Sequence, residues 1–261
     1  MGSITSDEDN VAAFIDAWKL MVGRLPGHRI EQAGGVASMF GNVPMAFLNF
    51  SMLDRRFADL DDLNSALGRA RATADGCAHG SMLAFCSGWL PQGWEAAFEA
   101  AGLHKAMDIT GMAADSLLPP RRSLPALEYR LATDVATATD LAVINAHAYG
   151  MPEDLIACIS NLDLWQGNSF GLVGYVDDRP VTCTATFVIG DMIYVALVAT
   201  EPDSHGKGYG DAVMRRAIEL AQAAGGDKRI WLHATEAGRP VYAAMGFETG
   251  ATPPIYDFAS A

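Results

Sequence analysis

Apolar residues along the chain recur with two periods, one typical of strands and one typical of helices. Residues 193–200 are apolar and rich in β-branched side chains, so they predict a largely buried strand. Pro202 ends this strand, because proline cannot donate to a sheet ladder. From residue 211 to residue 223 the apolar side chains recur at helical spacing, with charged side chains on the other side. This stretch therefore predicts a strand, a turn and a helix.

The two halves of the chain show the same order of predicted elements. In the second half we predict a strand at 128–132, helices at 135–148 and 153–162, a hairpin of 170–176 with 181–189, and, after the central helix, a strand at 229–235. In the first half we predict a helix at 7–25, strands at 30–39 and 45–53, a helix at 60–74, a strand at 81–85, a short helix at 94–101 and a strand at 105–111. The first half is therefore interpreted as a degenerate copy of the second.

A proline-rich stretch separates the halves. Residues 117–125 read LLPPRRSLP, with three prolines and two arginines, and this composition is typical of a linker. We therefore place one domain at 1–118, a linker at 119–125 and a second domain at 126–261.

The turn between the central strand and helix carries the strongest candidate chemistry. It reads HGKGYG, and the glycines at 206, 208 and 210 let the backbone approach a ligand closely. The unpaired N–H groups and the positive dipole end of the following helix suit a phosphate. A turn that binds nothing is one alternative. A dinucleotide fingerprint would need glycine where Asp211 stands, and a nucleoside-triphosphate loop would need Ser or Thr where Gly208 stands. The pyrophosphate loop of an acyl-coenzyme A enzyme remains.

Two motifs resemble those of the GNAT acetyltransferase superfamily. Its loop runs Arg/Gln-x-x-Gly-x-Gly/Ala after a proline, and Pro202, Gly208 and Gly210 match it, whereas His205 replaces the usual Arg or Gln. Downstream, IWLHATEAGRPVYAAMGF at 230–247 is similar to the family's strand and helix with their Tyr-x-x-x-Gly-Phe ending. The resemblance implies an α/β (α+β) fold of tandem GNAT-like domains, each a mixed, mostly antiparallel sheet flanked by helices. It implies an N-acetyltransferase that uses acetyl-CoA and no metal.

The resemblance also implies roles for individual residues. Tyr242 occupies the position of the family's general acid, which protonates the departing thiolate. The implied cofactor-binding residues are Val198, Ala199, Thr200, Gly206, Lys207, Gly208, Tyr209, Gly210 and Asp211. The first three would pair through their backbone with the pantetheine, and the others would surround the pyrophosphate.

The general base and the acceptor pocket are less defined by the sequence. By residue type, the candidates for the base are Glu201, His147 and His233, and we assign none of them. We expect residues 146–152, Trp165 and the strand that contains Cys183 to build the acceptor pocket, with Cys183 buried rather than nucleophilic.

The first half lacks a comparable loop. Residues 54–62 read DRRFADLDD, with no glycine for close approach and with carboxylates that would repel an anion. We therefore expect the 1–118 domain to have no cofactor loop and the 126–261 domain to be the catalytic one.

Composition narrows the range of partners. A formal net charge of −13 argues against nucleic acid, and no run of apolar residues is long enough to span a bilayer. Four cysteines without a CxxC motif are typical of reduced thiols in the cytoplasm. We expect acetyl-CoA and an amine as partners, and the sequence is compatible with a homodimer. The alternatives are a non-catalytic acyl-CoA-binding regulatory protein and a nucleotide-binding module of Rossmann type.

Overall fold

Two mixed sheets and their flanking helices make up the fold. The structure is a computed structural model that describes residues 6–258. Its α-helices are α1 (Asp7–Val22), α2 (Leu60–Asp75), α3 (Trp94–Ala100), α4 (Val135–Tyr149), α5 (Glu153–Ile156), α6 (Tyr209–Gly225) and α7 (Arg239–Ala244). Its strands are β1 (Arg29–Ala33), β2 (Val36–Phe40), β3 (Asn49–Leu53), β4 (Met82–Ala84), β5 (Leu103–Asp108), β6 (Thr110–Ala114), β7 (Glu128–Leu131), β8 (Ser169–Val176), β9 (Arg179–Ile189), β10 (Met192–Thr200), β11 (Arg229–Ala234), β12 (Glu248–Thr249) and β13 (Pro254–Phe258).

The two sheets repeat one topology. The first has the strand order β1-β2-β3-β4-β13-β5, and the second has the order β12-β6-β11-β10-β9-β8-β7. In each, three consecutive antiparallel strands lead through a helix, α2 or α6, to a strand that runs parallel to the third. A crossover helix is the usual connection between parallel neighbours. This repeat confirms the predicted fold class of two mixed, mostly antiparallel sheets flanked by helices.

Each sheet contains one strand from the other half of the chain. Strand β6 directly follows β5 in sequence but lies in the second sheet, between β12 and β11. Strand β13 follows β12 but lies in the first sheet, where it pairs antiparallel with both β4 and β5. Neither exchanged position was predicted from the sequence.

The exchange is also visible in how the chain divides into compact units. One unit holds the described residues up to Gly111 together with His233–Ala237 and those from Thr249 onward. The other holds Met112–Leu232 and Gly238–Glu248. The functional division into 1–118, a linker at 119–125 and 126–261 stays a prediction.

In the second unit, helices cover both faces of the sheet. On β9, Cys183 lies 3.1 Å from the Asn145 side chain of α4, whereas the Thr186 hydroxyl donates to the Ala217 carbonyl of α6 at 3.2 Å. Side chains three positions apart on a strand point to opposite faces. Helices α4 and α6 therefore pack on opposite sides of β9, which explains why this strand is buried from Val181 to Val188.

Several predicted elements differ from the structure. Residues 30–39, predicted as one strand, form the hairpin of β1 and β2, because Gly34 and Gly35 adopt positive φ angles of 61° and 87° and reverse the chain. The helix predicted at 153–162 is only α5, followed by short 3-10 turns. No helix within residues 6–258 combines the length and the apolar character needed to cross a membrane.

Candidate active site

Strand β10 loses its pairing with β11 a third of the way along its length. The two strands pair only through Met192–Tyr194 and their partners Arg229–Trp231. Beyond that point β10 also has a bulge against β9, between Ala196 and Ala199, where Leu197 has a positive φ of 53°. Residues 196–198 are partly exposed, although residues 192–195 are buried. Backbone groups on the β11 side of β10 are therefore accessible to an extended ligand.

The glycine loop follows directly and ends at a helix without a side-chain cap. Gly206 and Gly208 have φ angles of 75° and 86°, which favour glycine. Gly208 is the N-cap residue of α6 and supplies no side chain to the N–H groups of the first turn. These N–H groups can donate hydrogen bonds to an anion, as the sequence predicts.

The polar side chains around the loop are arranged so that little negative charge faces it. The Asp211 carboxylate accepts from Arg215 Nε at 2.6 Å, so the acid in the first turn of α6 is paired. His205, which stands where the family usually has Arg or Gln, donates from Nε2 to the Thr200 carbonyl at 2.9 Å. The Lys207 ammonium lies 5.9 Å from the ring centre of Tyr209 and its side chain is exposed.

The three predicted pantetheine-pairing residues already use part of their hydrogen-bonding capacity. The Val198 carbonyl accepts from the Tyr149 hydroxyl at 3.3 Å, and the Ala199 carbonyl accepts from the Thr182 hydroxyl at 2.9 Å. A carbonyl oxygen has two lone pairs, so these bonds leave acceptor capacity for a ligand.

Tyr242 lies on α7, in a motif whose glycine is required by packing. Gly246 has a φ of 102°, and a Cβ on it would lie 2.9 Å from a carbon of Leu118. The turn lets Phe247 N–H bond the Tyr242 carbonyl at 3.1 Å and buries the Phe247 ring. Burial, and then the neighbouring Tyr149, raise the pKa of the Tyr242 phenol above its ordinary value. The phenol therefore stays protonated at neutral pH.

Two of the three candidate bases lie together. His147 Nδ1 lies 3.0 and 3.1 Å from the two carboxylate oxygens of Glu201, and its Nε2 lies 3.5 Å from Glu153. The Glu201 side chain is 11% exposed and that of His147 is 44% exposed. The hydrogen bond to Glu201 raises the pKa of His147 above its usual value. The His147 imidazole is thus held in place by a mostly buried carboxylate.

The third candidate, His233, has a different environment. It lies in the first compact unit, 2.9 Å from Asn10 Oδ1 and edge-on to the Phe14 ring. Burial lowers the pKa of His233 to about 3, so its imidazole is neutral at physiological pH.

The predicted acceptor pocket is only partly open. Tyr149 is 50% exposed, but Trp165 is 8% exposed, donates to the Ile159 carbonyl and stacks on Phe187. Cys183 is fully buried, and burial raises the pKa of its thiol, as expected for a residue that is not a nucleophile. Trp165 and Cys183 are therefore core residues, and the accessible part of the predicted pocket is near Tyr149.

The corresponding loop of the first sheet is closed by its own side chains. Arg55 makes a bidentate pair with Asp62, with both N–O distances at 2.7 Å, and the same carboxylate accepts from Ala58 N–H. Asp59 caps α2 by accepting from Asp62 N–H. Carboxylates thus occupy the N-terminus of α2, whereas the N-terminus of α6 has no side-chain cap.

A known protein family matches the part of the chain that contains β10, the glycine loop, α6 and Tyr242. Residues 141–247 match the model of the acetyltransferase (GNAT) family. A search of curated protein sequences finds no match.

Solved structures share the fold over nearly the whole chain. A GCN5-related N-acetyltransferase from Kribbella flavida is 19% identical with a TM-score of 0.71, covering 100% of this chain and 98% of its own. A GCN5-related N-acetyltransferase from Sphaerobacter thermophilus is 14% identical with a TM-score of 0.57, covering 96% and 92%. A tandem GNAT protein from the clavulanic acid biosynthesis pathway is 13% identical with a TM-score of 0.54, covering 98% and 97%. The chain therefore carries an acetyltransferase domain of the GNAT family at residues 141–247, within a fold that it shares with a tandem GNAT protein.

Proposed function

We propose that residues 126–261 transfer an acetyl group from acetyl-CoA to a primary amine of a small molecule or peptide by direct attack. The observation that carries this proposal is the loss of pairing along β10 just before a glycine loop and an uncapped helix. Acetyl-CoA matches this arrangement, because it has an extended thioester arm that ends in a pyrophosphate. The pantetheine would lie along Val198, Ala199 and Thr200, and the pyrophosphate would lie over residues 206–211.

The chemistry needs one stabilised charge and two proton transfers. The amine nitrogen attacks the thioester carbon, and a backbone N–H freed by the loss of pairing in β10 stabilises the oxyanion. The carbon–sulfur bond then breaks, and the sulfur takes a proton from the Tyr242 hydroxyl. Tyr242 is protonated before this step, as a proton donor must be.

His147 is the base that the geometry favours for the amine proton. Its partner Glu201 directly follows Thr200, the last residue of β10, and Tyr149, one helical half-turn on, bonds the Val198 carbonyl. His147 would take the amine proton directly or through a water molecule. The Glu201 carboxylate would then stabilise the imidazolium that forms. This pair also favours an enzyme over a non-catalytic acyl-CoA-binding protein, since a binder has no need of a base.

Acetyl-CoA binding is proposed for the second domain alone. In the first sheet, Asp62 takes the Ala58 N–H and the Arg55 guanidinium that a phosphate would use. The proposal includes no metal ion. We also keep a cytoplasmic location and a homodimer as expectations.

A titration and an amine screen test the proposal. Calorimetry with acetyl-CoA should give one site per chain, and NAD should give no heat. A panel of small amines and peptide N-termini should then release free coenzyme A thiol with at least one acceptor. Absence of acetyl-CoA binding would refute the proposal, whereas binding without thiol release from any amine would favour the regulatory alternative.

A further inference from the structure

The proline-rich segment at residues 117–125 crosses the start of α6 and is held there by hydrogen bonds. Leu118 N–H donates to the Met245 carbonyl at 2.8 Å, and the Leu118 carbonyl accepts from Arg215 Nη1 at 2.7 Å. Further along, Arg122 Nη2 donates to the Gly206 carbonyl at 3.0 Å. Contacts to the loop, to α6 and to the residue before Gly246 thus fix this segment, which we call the strap.

The Arg122 guanidinium lies over the glycine at which α6 begins. Measured from the position that a Cβ would take on Gly208, its Nη2, Nε and Cζ atoms lie at 3.0, 3.3 and 3.4 Å. The bond to the Gly206 carbonyl uses one of the five N–H donors of the side chain. Within residues 6–258, no carboxylate forms an ion pair with Arg122, in a protein whose net charge is −13.

An arginine in this position can recognise a phosphate. A guanidinium matches phosphate oxygens with two parallel N–H bonds, and charge-assisted bonds of this kind are the stronger class. The bond to Gly206 holds the fork in place before a ligand arrives, so less conformational entropy is lost on binding. The N–H groups of α6 and the guanidinium would then contact the same anion from different sides.

We propose that Arg122 of the strap binds the pyrophosphate of acetyl-CoA and completes the cofactor site. This inference rests on the proposed function. It assigns a binding role to the segment that the sequence marks only as a linker. It places the contact at the pyrophosphate, because Gly208 is the N-cap of α6.

The test compares two neighbouring arginines on the full chain. Arg121 is the matched control, because it is exposed, adjacent, and without a hydrogen bond or ion pair among the described residues. Arg122→Ala should raise the Kd and KM for acetyl-CoA about ten-fold or more, as expected for loss of a charge-assisted hydrogen bond, and kcat should change less than twofold. Arg122→Lys should recover only part of the loss, since lysine keeps the charge without the fork.

Truncated thioesters locate the contact. Acetyl-dephospho-CoA lacks the 3′-phosphate but keeps the pyrophosphate, so Arg122→Ala should weaken its binding by the same factor as for acetyl-CoA. S-Acetyl-pantetheine lacks the pyrophosphate, so wild type and Arg122→Ala should turn it over with equal kcat/KM.

Three results would overturn the inference while leaving the proposed function intact. These are an unchanged Kd in Arg122→Ala, an equal loss in Arg121→Ala, and a loss that persists with S-acetyl-pantetheine. The last would mean that Arg122 only shapes the loop through Gly206. If wild type fails to bind acetyl-CoA by calorimetry, the proposed function and the inference both fall.

Discussion

Tyr242 combines burial with a hydroxyl that can still donate a proton. Its ring packs edge-on to Phe247 at 6.1 Å, and its raised pKa keeps the neutral form present across the physiological range. A proton donor is useful only when the thiolate departs, so its removal should affect chemistry and leave cofactor binding unchanged.

Tyr242→Phe should therefore lower kcat by about a hundred- to ten-thousand-fold, the usual worth of one general acid. Both kcat and kcat/KM should fall, whereas the Kd for acetyl-CoA measured by calorimetry should stay within twofold. Tyr129→Phe is the control, because Tyr129 is another half-buried tyrosine, on β7. A near-normal kcat in Tyr242→Phe would make this residue structural.

His147 should titrate above its ordinary value because Glu201, and more weakly Glu153, stabilise the imidazolium. NMR titration of its Cε1 proton should show a pKa above about 6.5 in wild type and a lower one in Glu201→Gln. The pair stabilises the fold fully below the unfolded-state pKa, and this contribution is lost as pH rises through the folded-state pKa. If His147 is the base, the acid limb of the kcat/KM profile should move with the same variant. An unchanged pKa in Glu201→Gln would show that the pair does not form in solution.

The glycine loop and the N-terminus of α6 together form the anion site that we propose. Gly208→Glu should abolish acetyl-CoA binding, because a φ of 86° disfavours any side chain, Arg122 occupies the adjacent space, and the new carboxylate repels phosphate. Gly190→Glu is the matched control, because φ is 53° there and no atom beyond the neighbouring residues lies within 4 Å of the position that a Cβ would take. Circular dichroism should show both variants folded. Undiminished affinity in Gly208→Glu would remove the loop from the site.

The sequence predicted this unit because its signals are local. Glycines at alternate positions and a helical period in residues 211–223 can be recognised without knowing what surrounds them. The bulge at Leu197 could not be predicted, since it depends on the register between β9 and β10. Nor could the pairing of His147 with Glu201, which lie 54 positions apart and meet only through the packing of α4 on the sheet.

The exchanged strands β6 and β13 each lie between two other strands of their sheets. Ile255 on β13 is fully buried, with Ala84 and Met107 as its neighbours in register. Ile255→Ala should lower the free energy of unfolding by about 2–5 kcal/mol. Hydrogen exchange should accelerate in β4 and β5. Ile30→Ala on the edge strand β1, where Ile30 is 36% exposed, should cost less than about 1 kcal/mol. Equal effects of the two variants would contradict a central position for β13.

The exchange itself left no trace that sequence reasoning could use. Residues 254–258 carry no strong strand pattern, and residues 105–111 looked like a single strand that ends the first half. The structure instead separates β5 from β6 at Ile109 and sends them to different sheets. Membership in a sheet is decided by which edges are free, and a short strand does not encode this locally.

The place of β13 has a consequence for the order of events on the ribosome. Translation delivers β1 to β5 early, but the strand that joins β4 to β5 emerges after every other strand of that sheet. Until then, β4 has an unpaired edge beside its pairing with β3, and β5 has no partner in the sheet. Unpaired strands of this kind can pair with other chains. The first sheet can therefore be completed only after residues 254–258 have been synthesised, which follow every strand of the second sheet.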